Sequence, residues 1–243
     1  AVSTTMYFQT EKARKKENDA RVMAEQALRR EAAARTEAER QANISQAVNN
    51  FLNNDLLASF DPVTAKGQAI TVIEILDNAA ARLEGKFKDA PSIEASIRDT
   101  LGTTYMSLGK FKAAEPHMKR ALELRQSQLG EEHPDTLKSM ADLGWVYLKQ
   151  FRLNEAEPLL VKALEIRRRV LGEEHPDTLE SMHHLGWLYS MQGRYNETEP
   201  LFVKRLEIQR RVLGEEHPGT LGSMLILGEL YANQGRYKEA EPL

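Results

Sequence analysis

A block of 42 residues, 131–172, returns almost unchanged further along the chain. Its opening Glu-Glu-His-Pro starts at Glu131, at Glu173 and at Glu215, with a constant spacing of 42 residues. A fixed period of roughly 20–50 residues marks a chain made by stacking one small unit, because such a unit cannot bury its apolar face alone. This one feature excludes most fold classes before composition is considered.

Each unit reads as two helices. The first opens at His133-Pro134, His175-Pro176 and His217-Pro218. Proline suits the first helical position and pushes the residue before it out of the helical region. Asp135 and Asp177 follow in the first turn, where the helix dipole favours negative charge. Met140, Leu143, Gly144 and Tyr147 then lie at the spacing of one helix face, repeated as Met182, Leu185, Gly186, Tyr189 and Met224, Leu227, Gly228, Tyr231. The interior glycine costs roughly 1 kcal/mol against alanine. It is expected to mark the closest approach of the second helix. That helix should begin near Asn154, Asn196 and Lys238, with Pro158, Pro200 and Pro242 in about its first turn. Leu160, Ala163, Leu164 and Val170 should form its buried stripe, and Arg167, Arg168, Arg169, Arg210 and Arg211 its solvated, dipole-matched last turn. Gly130, Gly172 and Gly214 read as C-terminal caps.

Leu143-Gly144-x-x-Tyr147 followed by Ala156-x-x-x-Leu160 is the tetratricopeptide pattern, lengthened to 42 residues. The lengthened form, joined by Leu-Gly-Glu-Glu-His-Pro-Asp-Thr-Leu, resembles the repeats of kinesin light chains and their bacterial relatives over about residues 89–243. The resemblance implies an all-α, right-handed solenoid of units 89–130, 131–172, 173–214 and a truncated 215–243. It also implies that residues just past the repeated glycine face a concave groove. Trp145 and Trp187 hold that place, and tryptophan is a frequent anchor for bound peptides. The alternative is that each indole packs on the first helix of the next unit. By the same phase Lys138, Leu148, Lys149, Glu180, His183, Ser190, Met191, Leu225, Glu229 and Asn233 line the groove, with Asp99, Thr103 and Met106 from the first unit. Where kinesin light chains usually carry an asparagine pair, this chain has Ala141-Asp142, His183-His184 and Leu225-Ile226, so its groove chemistry differs.

Ahead of the units, residues 1–58 are rich in Ala, Glu, Arg and Lys. Glu11/Lys15, Glu17/Arg21, Glu25/Arg29 and Glu31/Arg35 are spaced for helical ion pairs. They suggest a charged helix about 70 Å long, either solvated or paired through poor heptads as a coiled coil. Its end, at Ile44, Val48, Phe51 and Leu52, turns apolar and should dock on the repeats. Phe60-Asp61-Pro62 breaks it. A helix over 68–83, with Ile73, Leu76, Ala80 and Leu83 on one face, reads as half of a degenerate unit within a linker and cap spanning 59–88. Charged helix, cap and repeats in this order resemble the region after the membrane span in some bacterial serine/threonine kinases.

A net charge of −3 over 243 residues gives no basic bias toward nucleic acid. The absence of cysteine removes disulfides, thiolate metal sites and thiol nucleophiles. No run of ~20 apolar residues is long enough for a membrane span, although Tyr7-Phe8 before Lys12, Arg14, Lys15 and Lys16 is the kind of edge that follows one. A frayed start is the plainer reading of that segment. The chain starts at Ala1 and stops shortly into a second helix, as expected of an excerpt from a longer protein. His133, His175 and His217 cannot share one metal ion, since successive units stand about 10 Å apart. No nucleophile elbow, HExxH, phosphate loop, HRD or DFG occurs, so neither a catalytic site nor a cofactor is expected. The expected function is a scaffold binding a protein or peptide, with self-association a further option. The alternative is the regulatory arm of a larger signalling enzyme, most plausibly a membrane-anchored kinase. A cytoplasmic location is favoured, with tethering through an upstream segment as the other course.

Overall fold

The computed structural model describes residues 2–51, 54 and 71–243; the side chains of residues 2–10 and of residue 13 are outside the description. The expected break at Phe60-Asp61-Pro62, Leu52 and the side chains of Tyr7 and Phe8 therefore fall outside it. The chain divides into two compact units, residues 1–53 and 54–243.

The first is a single helix, α1 (Val2–Phe51), as the breaker-free composition predicts. Its ion pairs differ from those expected. Arg35 turns to Glu39 at 3.1 Å rather than to Glu31, and Arg40 pairs with Glu37 at 2.6 Å. The Glu11/Lys15, Glu17/Arg21 and Glu25/Arg29 spacings are not drawn into contact. Such exposed pairs gain about as much as their side-chain entropy costs, so spacing alone does not bring them together.

The second unit runs α2 (Val72–Leu83), α3 (Pro91–Ser107), α4 (Phe111–Leu129), α5 (Pro134–Lys149), α6 (Leu153–Leu171), α7 (Pro176–Met191), α8 (Tyr195–Leu213), α9 (Pro218–Asn233) and α10 (Tyr237–Ala240). No strand occurs among the described residues. Helix α2 starts at Val72, later than the expected 68, because Thr71 is extended and closes a capping box with Glu74. From α3 onward each helix packs on the next, and the pairs stack into a right-handed solenoid.

Local chemistry sets the helix ends. His133, His175 and His217 are N-caps: each Nδ1 accepts the backbone N–H two residues on, at 3.1–3.2 Å. The imidazole replaces the usual hydroxyl or carboxylate acceptor. Gly130, Gly172 and Gly214 close α4, α6 and α8 with φ of 84, 89 and 90° and extended ψ, a region essentially restricted to glycine. Pro158 and Pro200 lie in the second turn of their helices, not the first, because α6 and α8 begin at Leu153 and Tyr195. The hydrogen bond each forfeits belongs to the carbonyl of Asn154 or Asn196, both exposed.

The repeated glycine is the crossing point. A Cβ on Gly144 would stand 2.7 Å from Leu160 Cδ2, and one on Gly102 2.8 Å from Met118 Cε. At Gly186 the Phe202 ring fills the same place. Leu160, Ala163 and Leu164 are buried as expected. Val170 is 44 % exposed, because the stripe continues through Arg167 to half-buried Leu171 instead.

One turn carries strain. Gly109, Gly193 and Gly235 link the two helices of their units at φ of 70–73°, and Phe151 holds the same place at φ 60°, itself 78 % exposed. A side chain there costs about 1–2 kcal/mol, which the absent packing does not return. Phe151→Gly is expected to raise stability by about 0.5–1 kcal/mol after the entropy of glycine is subtracted, seen as a higher urea midpoint.

Candidate peptide-binding face and repeat junctions

The first helices form a row: α5 touches α7 directly as well as its own partner α6. On this row the expected groove residues separate into three groups. Trp187, Met191, Leu225, Glu229, Asn233, Glu180 and Lys149 are exposed, with Leu225 at 63 %. Trp187 and Phe202 line one small hollow with Ser190, Ile226, Glu229, Leu230 and Asn233. Trp145 is half-buried. Its indole stacks on His184 of α7 at 4.4 Å, and Lys149 Nζ lies 4.4 Å from its centroid. It therefore packs on the next unit, the alternative arrangement, while Trp187 stays open. Leu148 is a correction. It is 2 % exposed and sits in the core with Leu179, Met182, Leu185 and Leu188, because at the end of α5 its face lies under α7. Lys138 is engaged by Asp142 at 2.8 Å and Asp99 at 3.1 Å.

His183 and His184 both carry buried Nδ1 atoms without a partner. Burial, reinforced by nearby Arg205 and Lys149, pulls His183 down to about 4 and His184 to about 3, so both rings are neutral at neutral pH. No group of metal-ligating residues forms among the described residues.

The residues that join the units were missed by the sequence reading. Arg167, expected in a solvated last turn, is 1 % exposed. Its Nη1 donates to the Asp177 carbonyl at 2.7 Å and to Ser181 Oγ at 2.8 Å, both on the next unit. Arg125 makes the same contacts with Asp135 and Ser139 one period earlier. Arg169 and Arg211 stay exposed, paired with Glu132 and Glu174 of their own units. On the turn side, Arg152, Arg194 and Arg236 each cross to the preceding unit, to Glu115, Glu157 and Glu199 at 2.5–2.6 Å. Each guanidinium also lies 4.0–4.4 Å from the ring of Tyr147, Tyr189 or Tyr231. The hydrogen bond from Arg194 holds Glu157 below the ordinary carboxylate range. The signal for all these contacts was in the sequence: Arg, Ser and Glu recur at the repeat period.

The tetratricopeptide repeat family model matches residues 93–168, 147–202 and 191–243. The chain belongs to the tetratricopeptide repeat family. Among solved structures the array is similar to a putative kinesin light chain with nearly identical TPR-like repeats from Podosopora anserina, at 24 % identity and a TM-score of 0.62, covering 83 % of this chain and 89 % of that one. It is also similar to BtubC (BKLC) from P. vanneervenii, at 22 % identity and a TM-score of 0.57, covering 84 % of this chain and 87 % of that one. At these identities the likeness concerns the fold, which is of the kinesin light chain type. A nucleotide-binding leucine-rich repeat (NLR)-like protein of Hyaloscypha variabilis is 47 % identical over 58 residues, 22 % of this chain and 6 % of that protein's length. Tetratricopeptide arrays are generally non-catalytic and serve as protein-interaction scaffolds. No described helix is long and apolar enough to cross a membrane.

Proposed function

We propose that this array binds a peptide or a partner helix along the row formed by α5, α7 and α9, with Trp187 as the anchor. The observation that carries the reading is the exposure of Trp187, Met191 and Leu225 on neighbouring first helices, beside a hollow floored by Phe202. A tryptophan at 36 % exposure in a buried helical array is poised to lose the rest of its surface to a partner. Trp145 stacks on His184 of α7, the helix that carries Trp187. Glu229, Asn233 and Lys149 at the rim supply polar contacts that fix orientation.

The chain's two tryptophans make the test direct, because fluorescence reports from the proposed face itself. Peptides retained from a random displayed library should shift the emission on titration. Trp187→Ala should weaken them by about tenfold or more, a typical hot-spot loss. The Trp145→Ala/Trp187→Ala double variant should abolish capture while circular dichroism still shows full helicity. Undiminished capture by the helical double variant would remove the face from consideration.

A further inference from the structure

The junction between α8 and α9 departs from the two before it. At the position of Arg125 and Arg167 the third full unit has Gln209, and at the position of Ala163 it has Arg205. The guanidinium thus arrives one helical turn earlier but reaches the equivalent serine. Arg205 Nη1 donates to Ser223 Oγ, which donates in turn to Gln209 Oε1.

What is missing is a counter-charge. Arg125 has Asp99 at 3.2 Å, and Arg167 has Glu180 at 3.6 Å. Arg205 has only Ser223; its Nε is buried without an acceptor, as is that of Arg167, so it is the missing acid that separates the two. The counterpart of Glu180 in the last unit is Gly222, and nothing lies within 4 Å of where its side chain would begin. The two earlier junctions draw their acid from different repeat positions, since Lys138 stands where Glu180 does; at the last junction neither position is acidic, His183 standing where Asp99 does, and the space at Gly222 is open. Burial accordingly makes the charged guanidinium less favourable here, with no acid offsetting it.

Arg205 lines a cleft of about 440 Å³ together with Leu179, His183, His184, Val212 and Leu213. Two carboxylates also border it, and both are committed: Glu174 pairs with Arg211 at 2.7 Å and Glu180 lies 3.6 Å from Arg167. The cleft therefore combines apolar walls, two neutral imidazoles and one uncompensated cation. His183 connects it to the anchor site, with its ring 6.3 Å from that of Trp187.

We propose that Arg205 receives a carboxylate of the bound peptide, which takes the place of the acid that Gly222 lacks. The inference rests on the peptide-binding reading above and deepens it, adding an acidic residue or a C-terminal carboxylate next to the segment held by Trp187. A guanidinium in a cleft with apolar walls is well suited to a charge-assisted hydrogen bond with such a group.

The test uses the whole 243-residue chain and peptides retained from a random displayed library. Each is resynthesised with a free C-terminus, with a C-terminal amide, and with each Asp or Glu exchanged for its amide. One of these neutralisations should lower affinity for the native chain by about tenfold or more. The synthetic series shows which carboxylate is read, and either answer supports the proposal. Arg205→Gln should cause a similar loss for the acidic peptide and remove its preference over the neutral one. Gly222→Glu, whose Cβ meets nothing within 4 Å, should restore an internal carboxylate and block the same peptides without lowering the melting temperature. Peptides that bind all three proteins equally, or that tolerate every neutralisation, would overturn the role of Arg205 and leave the scaffold standing. A library that yields no binder would bring down both.

Discussion

Arg167→Ala should destabilise the array by about 3 kcal/mol, the largest loss expected of any arginine here. The guanidinium is 1 % exposed and holds the Asp177 carbonyl and Ser181 Oγ of the next unit. Truncation empties a buried volume and strands two polar groups at once, each route costing about 1–3 kcal/mol. Stability in a stacked array is close to a sum of units and their interfaces. The damage should therefore fall on one junction. Hydrogen exchange should rise across residues 173–243 while residues 91–129 keep their protection. Arg167→Met retains the packing of the stem and should lose less. Arg169→Ala, two residues on with a side chain 62 % exposed, should change stability by no more than about 0.5 kcal/mol. Equal melting of Arg167→Ala and Arg169→Ala would show that burial at this junction contributes nothing.

Gly186→Leu should cost about 1–3 kcal/mol through overpacking. Any Cβ at this position collides with the Phe202 ring, which is 4 % exposed, so the ring has to shift within its packing. Leucine is a better helix former than glycine by about 1 kcal/mol, so the collision has to outweigh that gain. Gly222→Ala provides the opposite case. It lies in a helix of the same array with open space where its Cβ would stand, and should gain about 1 kcal/mol. Thermal unfolding followed by circular dichroism would show midpoints moving in opposite directions. A Gly186→Leu protein that melts with the native one would remove the close-crossing argument.

The contrast between these two glycines shows how far a sequence can be read. Gly102, Gly144, Gly186 and Gly228 share one repeat position, and from that the crossing point was legible. The severity of the crossing was not, because it depends on whether Met118, Leu160 or Phe202 comes from the partner helix. The candidate face was legible in the same limited way. Phase placed Trp145 and Trp187 alike, yet His184 covers the first while Ile226 and Leu230 leave the second open. Leu148 was misplaced because helical phase says which way a residue points and not what the neighbouring unit lays over it.

By itself the sequence determined the period, the helix pairs, their proline starts and glycine stops, and the all-α class, because these follow from backbone preferences within a few residues. Only the tertiary structure decided which repeated polar residues are solvated and which join units. Arg167 and Arg169 sit two residues apart in one helix, but the partners of Arg167 are 10 and 14 residues away on the next unit. A charge can be buried only where such partners converge. The vacancy beside Arg205 belongs to the same class, since an absent carboxylate has meaning only once the space it would occupy is known.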